Sequence, residues 1–291
     1  MILQSGNGFY VWKIKEGMAR YGGVRQFAEK AASLGLKDVI IKMANGTWKY
    51  NLRWDVVRWV DDILPPMVEA FRDAGIFVSG FHYVYGNNPD GEASVAVRRI
   101  QQFDLDAWVI DAETEYKRNW GKAPGYIGRI RSECPDVTLA LSSYRYPYYH
   151  LDFPWQDFLP LVDINMPQVY WMEAHNPGGQ LTRTLEEFAR LEAAHGWAHT
   201  PIYPTGSAFC EHGWCATASE VLDFGQAVAD AGITGVSWWE WERAVQSGLI
   251  DAVEEVSKLF GGTPPPPPPV TLEERVADLE RRVTKLENPD G

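Results

Sequence analysis

The chain has 291 residues, 45% hydrophobic and 23% charged, a make-up that supports a sizeable buried core and excludes disorder over most of its length. Its formal net charge of -12 repels phosphate backbones and anionic membranes, which excludes nucleic acid and membrane surfaces as partners. The same charge means that a polyanionic cell wall is approached without electrostatic help.

No apolar run approaches the roughly 18 residues that span a bilayer, and the first residues lack the basic and apolar segments of a signal peptide. A soluble protein is expected. The aromatic load, 13 Trp, 13 Tyr and 12 Phe, exceeds what a core of this size needs and calls for a use.

In chain order, eight short apolar or β-branched runs appear at 9–14, 38–43, 76–83, 107–113, 138–143, 162–170, 201–205 and 235–239. Stretches of helical periodicity at 23–34, 57–74, 92–103, 126–133, 184–194, 218–231 and 247–260 fill most of the crossovers, the fifth of which looks short. Alternating strand and helix is the pattern of parallel βαβ units, and eight strands predict closure into a (β/α)8 TIM barrel over residues 1–260. A doubly wound open sheet is the alternative.

In a barrel the strand-to-helix loops gather at one end, where active sites sit. Here those loops carry Trp48, Tyr50, Trp54, Tyr83, Tyr85, Tyr116, Trp120, Tyr144, Tyr146, Tyr148, Tyr149, Tyr170, Trp171, Trp214, Trp238, Trp239 and Trp241. Flat rings with polar edges suit the C–H faces of sugars. Plugging of the barrel mouth, or a protein interface, is the plainer alternative.

The run Trp108-Val-Ile-Asp111-Ala-Glu113 changes from apolar residues to two acids one residue apart, which strand alternation places on one face. Forced together in a partly dry site, two carboxyls cannot ionise equally, so one pKa rises and a proton donor results. Glycoside hydrolysis needs such a donor, with Glu113 as general acid and Asp111 orienting it or steadying a positively charged intermediate formed by an N-acetyl group. A rim salt bridge with Lys42, Lys117 or Arg118 is the competing explanation. His82 either binds substrate or hydrogen-bonds beneath the site.

Several strand ends together resemble the family-25 glycoside hydrolases, the Chalaropsis-type muramidases, over most of residues 8–245. Val39-Ile-Ile-Lys-Met-Ala-Asn-Gly-Thr47 resembles that family's second strand, Gly80-Phe-His-Tyr83 its third and Val109-Ile-Asp-Ala-Glu113 its Asp-x-Glu strand. Ser142-Ser-Tyr144 and Gln168-Val-Tyr170 sit where its fifth and sixth strands end. The resemblance implies a lysozyme-like enzyme with no cofactor, in which Tyr10, Lys42, His82, Tyr83, Tyr144, Gln168, Tyr170 and Trp239 bind substrate. Tyr10 stands where the family carries an Asp on its first strand, so the acid set is incomplete; Glu240 or Glu242 is the candidate replacement. Trp238-Trp239 and Tyr170 are loosely similar to family-18 chitinases, whose longer acidic run is matched by Asp106, Asp111 and Glu113 but has Val109 in place of its second Asp.

Gly206-Ser-Ala208 lacks a nucleophile elbow, and neither a Walker loop nor a Gly-x-Gly-x-x-Gly turn occurs. Cys210 and Cys215 flank His212, a spacing open to a local disulfide, to free thiols or, with no fourth ligand nearby, weakly to zinc. No metal is expected. Residues 261–270, with six consecutive prolines, read as a stiff linker of about 3.1 Å per residue. Residues 271–288 place Leu272, Val276, Leu279, Val283 and Leu286 in alternating steps of four and three, a short coiled-coil seam for a homo-oligomer or a helix that docks elsewhere. The sequence thus yields two functions: a phage endolysin-like glycosidase of peptidoglycan, or an inactive glycan-binding or structural barrel displayed on an oligomer.

Overall fold

The computed structural model describes residues 5–54 and 59–260. Eight parallel strands follow one another round a closed sheet: β1 Gly6–Val11, β2 Leu36–Asn45, β3 Phe77–Val84, β4 Ala107–Ala112, β5 Thr138–Tyr144, β6 Ile164–Val169, β7 Thr205–Ser207 and β8 Gly235–Trp239. β1 pairs with both β2 and β8, which closes the barrel. The expected (β/α)8 barrel is the fold, and the open sheet is excluded by that closure.

The helices lie outside the strands: α1 Ile14–Tyr21, α2 Val24–Ser33, α3 Leu64–Asp73, α4 Pro89–Phe103, α5 Ala123–Glu133, α6 Trp155–Phe158, α7 Pro177–His195, α8 Ala218–Asp230, α9 Trp241–Gln246 and α10 Ile250–Ser257. The fifth crossover is indeed short, only α6 and the 3-10 turns beside it. The helix expected from residue 57 begins instead at Leu64, because Pro65 and Pro66 fit only a first helical turn. Trp59–Asp62 pairs back on Leu52–Trp54 as a hairpin. The seventh strand runs later than 201–205, since Pro201 and Pro204 cannot donate to a ladder. Only an isolated bridge, Asn165 to Ile202, precedes Thr205.

Strand alternation divides the core in two. Tyr10, Ile40, Phe81, Val109, Ala140, Ile164, Met166 and Tyr203 fill the barrel interior. Their neighbours, among them Phe9, Ile41, Trp108, Ile110, Leu141, Val169 and Trp238, point outward against the helices. Aromatic residues from the loops therefore serve two ends. Trp171, Trp238, Trp241 and Tyr116 are buried, while Trp48, Trp120 and Tyr149 are exposed.

Cys210 and Cys215 form a disulfide across a two-stranded hairpin, Cys210–Glu211 with Trp214–Cys215, which answers the open question of their state and removes them as zinc ligands. Cys134 is buried on the end of α5. Among the described residues no group of three His, Cys, Asp or Glu side chains is arranged to hold a metal, and no helix is long and apolar enough to cross a membrane. The Pro-rich linker and the coiled-coil seam lie outside the described residues.

Candidate active site

The acids sit at the C-terminal end of the barrel, at the mouth. Asp111 is the fifth residue of β4 and pairs with Tyr83 of β3 and Ser142 of β5. Glu113 follows the strand with φ -132° and ψ -138°, and both acids face the mouth, where they reach the same Gln168 amide. Asp111 is only 4% exposed, whereas Glu113 is half-buried at the rim.

Gln168, at the matching height on β6, gathers the pair. Its Nε2 donates to Glu113 Oε1 at 2.9 Å and lies 3.3 Å from both Asp111 Oδ1 and Ser142 Oγ. Burial first, and the adjacent Glu113 second, push Asp111 well above the usual carboxylate range. Lys42 opposes that shift.

Rings wall this space. Trp239 is half-buried, with its centroid 5.4 Å from that of Tyr10, 6.1 Å from Phe81 and 6.2 Å from Trp12. Tyr83 donates to Glu115 Oε2 at 2.5 Å, and its hydroxyl is held protonated by burial and the acids around it. The Tyr144 hydroxyl meets Thr114 Oγ1 at 2.9 Å, while its ring stacks on His150 at 3.6 Å. Tyr170 meets Phe209 edge-on at 5.4 Å, and burial raises its pKa, with Tyr10, Glu113 and Asp111 adding to the effect. Tyr10 is 1% exposed and its hydroxyl lacks a well-placed hydrogen-bond partner, although Ser142, Thr205 and Asp111 all influence it.

The alternative of a rim salt bridge fails. Lys117 and Arg118 both pair with Asp152, at 3.2 and 3.8 Å. Among the described residues Lys42 makes no ion pair with either acid; its Nζ lies over the rings of Tyr50, Tyr83, Trp12 and Phe81.

Two expected members are not brought into the cluster. His82 alternates with Phe81 and Tyr83, and so points outward into the helix layer, fully buried. Its Nε2 lies 2.8 Å from the Gly46 carbonyl, which can only accept, so that nitrogen carries the hydrogen and Nδ1 accepts from the Tyr126 hydroxyl at 3.0 Å. Burial lowers the His82 pKa to about 3, which fixes it as a neutral structural bridge. Glu240 follows Trp239 and faces away from the pair. It caps α9, accepting from Arg243 N at 3.1 Å, with the Arg243 guanidinium 3.9 Å away. Glu242 is held by Arg20 at 2.7 Å. Neither replaces the missing first-strand acid.

The site also holds residues that the motifs did not single out. Ser142 shares Gln168 with the acids, Glu115 receives Tyr83, and Trp12 and Tyr50 complete the wall around Lys42. Period-two alternation continued past the strand ends, from Tyr10 to Trp12 and from Glu113 to Glu115, is the signal that reaches two of them.

No family model and no curated protein matches this sequence. Solved structures do match in fold. The catalytic domain of a hyperthermophilic chitinase from Pyrococcus furiosus superposes with a TM-score of 0.66 at 13% identity, over 89% of this chain and 97% of that one. An endo-β-1,4-mannanase from Thermotoga petrophila gives 0.63 at 11% identity, over 89% and 78%. The spore cortex-lytic enzyme SleL of Bacillus cereus gives 0.59 at 10% identity, over 88% and 74%. At these identities the likeness is one of fold, a TIM barrel used by glycoside hydrolases. None of the three is described as a family-25 muramidase, so the resemblance to that family rests on the strand-end motifs alone.

Proposed function

We propose that this protein is a retaining glycosidase of N-acetylated glycans, with peptidoglycan as its substrate, Glu113 as general acid and Asp111 as its assistant. One observation carries the reading: the inward-facing Asp111–Glu113 pair, bridged by Gln168 in a mouth walled by Trp239, Tyr83, Tyr144 and Tyr170. A mannanase has the same fold, so the fold does not choose the sugar. The chitinase and cortex-lytic relatives are compatible with an amino sugar, and the chemistry of the pair favours one.

The arrangement suits participation by the substrate's own acetamide. Among the described residues no carboxylate contacts the pair from across the mouth, because Glu240 and Glu242 are committed to Arg243 and Arg20. Among the described residues none is thus placed as a nucleophile, and an N-acetyl oxygen can supply one. Glu113 gives its proton to the glycosidic oxygen as that bond breaks, and the acetamide oxygen bonds to the anomeric carbon. Asp111 stands beside the positive charge that grows on the acetamide and stabilises it as a carboxylate, while Glu113 is left deprotonated. Water then opens the cyclic intermediate, with Glu113 taking its proton, and the anomeric configuration is retained.

The test is reducing-end release from purified peptidoglycan and from chitin oligomers between about pH 4 and 8. Glu113→Gln is expected to lower release by about 10³-fold, within the range of a lost general acid. Full activity in that variant overturns the assignment. No release from either protein, with binding retained, transfers the role to a non-catalytic glycan-binding barrel.

A further inference from the structure

Lys42 is a cation set among the rings of a mouth that also holds Asp111, Glu113 and Glu115. It is 7% exposed. Its Nζ lies 4.8 Å from the ring centroid of Tyr50, 5.3 Å from Tyr83, 5.7 Å from Trp12 and 5.8 Å from Phe81. Among the described residues its ammonium makes no hydrogen bond and no ion pair. Ring faces replace part of the hydration that an ammonium loses on burial, but they accept none of its three N–H groups in a directed bond. Those donors remain available to a ligand that accepts from them.

The cage is built rather than incidental. Asn51 Nδ2 donates to the carbonyls of Lys42 at 2.7 Å and Trp12 at 3.1 Å, tying two walls together. Fully buried Arg99 donates to the carbonyls of Met43 at 3.1 Å and Tyr50 at 3.0 Å, tying in the third. Phe81 closes the floor, while Trp12, Tyr50 and Tyr83 are only half-buried and open onto the mouth. Trp12 is shared between two places: its ring is 6.2 Å from Trp239 and 5.7 Å from the ammonium. A sugar seated on Trp239 thus holds its substituents beside Lys42.

Resting on the glycan reading above, we propose that Lys42 selects the substrate by receiving a carboxylate carried on the sugar, so that the glycan is an acidic amino-sugar chain, such as one bearing lactyl ethers, and not a neutral one. A carboxylate fits better than a hydroxyl because it accepts from the ammonium in charge-assisted bonds about twice as strong as neutral ones. It also supplies the counter-charge that no described residue provides within ion-pair reach.

The experiment measures binding to the full-length Glu113→Gln protein by calorimetry, with Lys42 intact, as Lys42→Gln and as Lys42→Met. The probes are an N-acetylglucosamine tetramer and a tetrasaccharide alternating N-acetylglucosamine with N-acetylmuramic acid. With Lys42 present the acidic oligomer is expected to bind about tenfold more tightly or better, and the preference falls to near unity in both variants. Affinity for the neutral tetramer stays within about twofold throughout. Lys42→Gln keeps an N–H donor, so a preference that survives in it, or a loss of neutral affinity confined to Lys42→Met, means that the residue reads a hydroxyl and overturns the proposal. Equal affinity for both oligomers in the Lys42 protein overturns it while leaving the glycan reading intact. Failure of both oligomers to bind overturns the glycan reading and this inference together.

Discussion

Asp38 shows how much a single buried carboxyl can demand of the barrel. It lies on β2, four residues before Lys42 and on the same inward face, fully buried, with Ser79 Oγ 3.0 Å from both of its oxygens. Burial, opposed by Ser79, raises its pKa to about 7. The unfolded chain releases the same proton near pH 4, where an ordinary aspartate titrates. Between those limits the native state holds the extra proton, so stability is full below about pH 4 and is lost as pH rises towards about 7, by an amount on the order of 4 kcal/mol. Asp38→Asn keeps the Ser79 contact and removes this dependence. Its melting temperature relative to the unaltered protein is expected to climb from pH 4 to 7 and level off above; a difference that does not change with pH contradicts the assignment. Residues like Asp38 also mark where the sequence was readable. Asp111 and Glu113 were legible because period-two spacing makes a one-residue gap a shared face. The same rule, applied to Gly80-Phe-His-Tyr83, puts His82 on the opposite face from Tyr83, where it bridges Tyr126 and Gly46. Glu240 was beyond that rule because it sits at the strand end, where the backbone turns into α9 and the side chain is taken as its cap.

At the scale of elements, the helices are held at their ends by identifiable residues. α8 opens with a capping box: Glu220 N donates to Thr217 Oγ1 at 3.2 Å, and Thr217 N donates back to Glu220 Oε2 at 2.8 Å. His175 adds a contact to Glu220 at 2.6 Å, which links this helix to the loop after β6. Thr217→Ala is expected to cost about 1 kcal/mol in denaturant unfolding while leaving glycan binding unchanged. A loss of binding at unaltered stability speaks against a purely structural cap. The box is written in the sequence as Thr217-Ala-Ser-Glu220, and α8 falls within one residue of its expected span. α3 was harder to place, since apolar periodicity runs on into the hairpin ahead of it and only the proline pair marks the true start. α7 begins at Pro177, ahead of the first apolar repeat, because Pro at the first turn and the glycines after it carry no hydrophobic signal.

For the whole molecule, closure is the decisive event, and one side chain spans it. Asn7 on β1 accepts from Trp238 Nε1 of β8 at 2.7 Å and donates to the Val253 carbonyl of α10 at 2.7 Å, with Ser257 Oγ 2.8 Å away. First strand, last strand and last helix meet at a single amide that is 1% exposed. Asn7→Ala leaves the buried Trp238 indole N–H without a partner, so a loss of about 2 kcal/mol is expected in one cooperative denaturant transition. A loss below about 0.5 kcal/mol means that the seam is held elsewhere. That the chain closes at all was legible from the count of strands; that Asn7 fastens it was not, because its partners lie more than 230 residues away in sequence.

The Cys210–Cys215 bridge sets the surroundings in which this shape of the rim exists. The hairpin it closes has only two paired residues on each side, too little backbone pairing to persist by itself. It carries Trp214 against Phe209, which in turn supports Tyr170 beside the acids. Glutathione-rich cytosol keeps such thiols apart, whereas an extracellular or periplasmic medium keeps them joined. A thiol reductant in the buffer is therefore expected to change the wall of the site while the barrel behind it stays as it was.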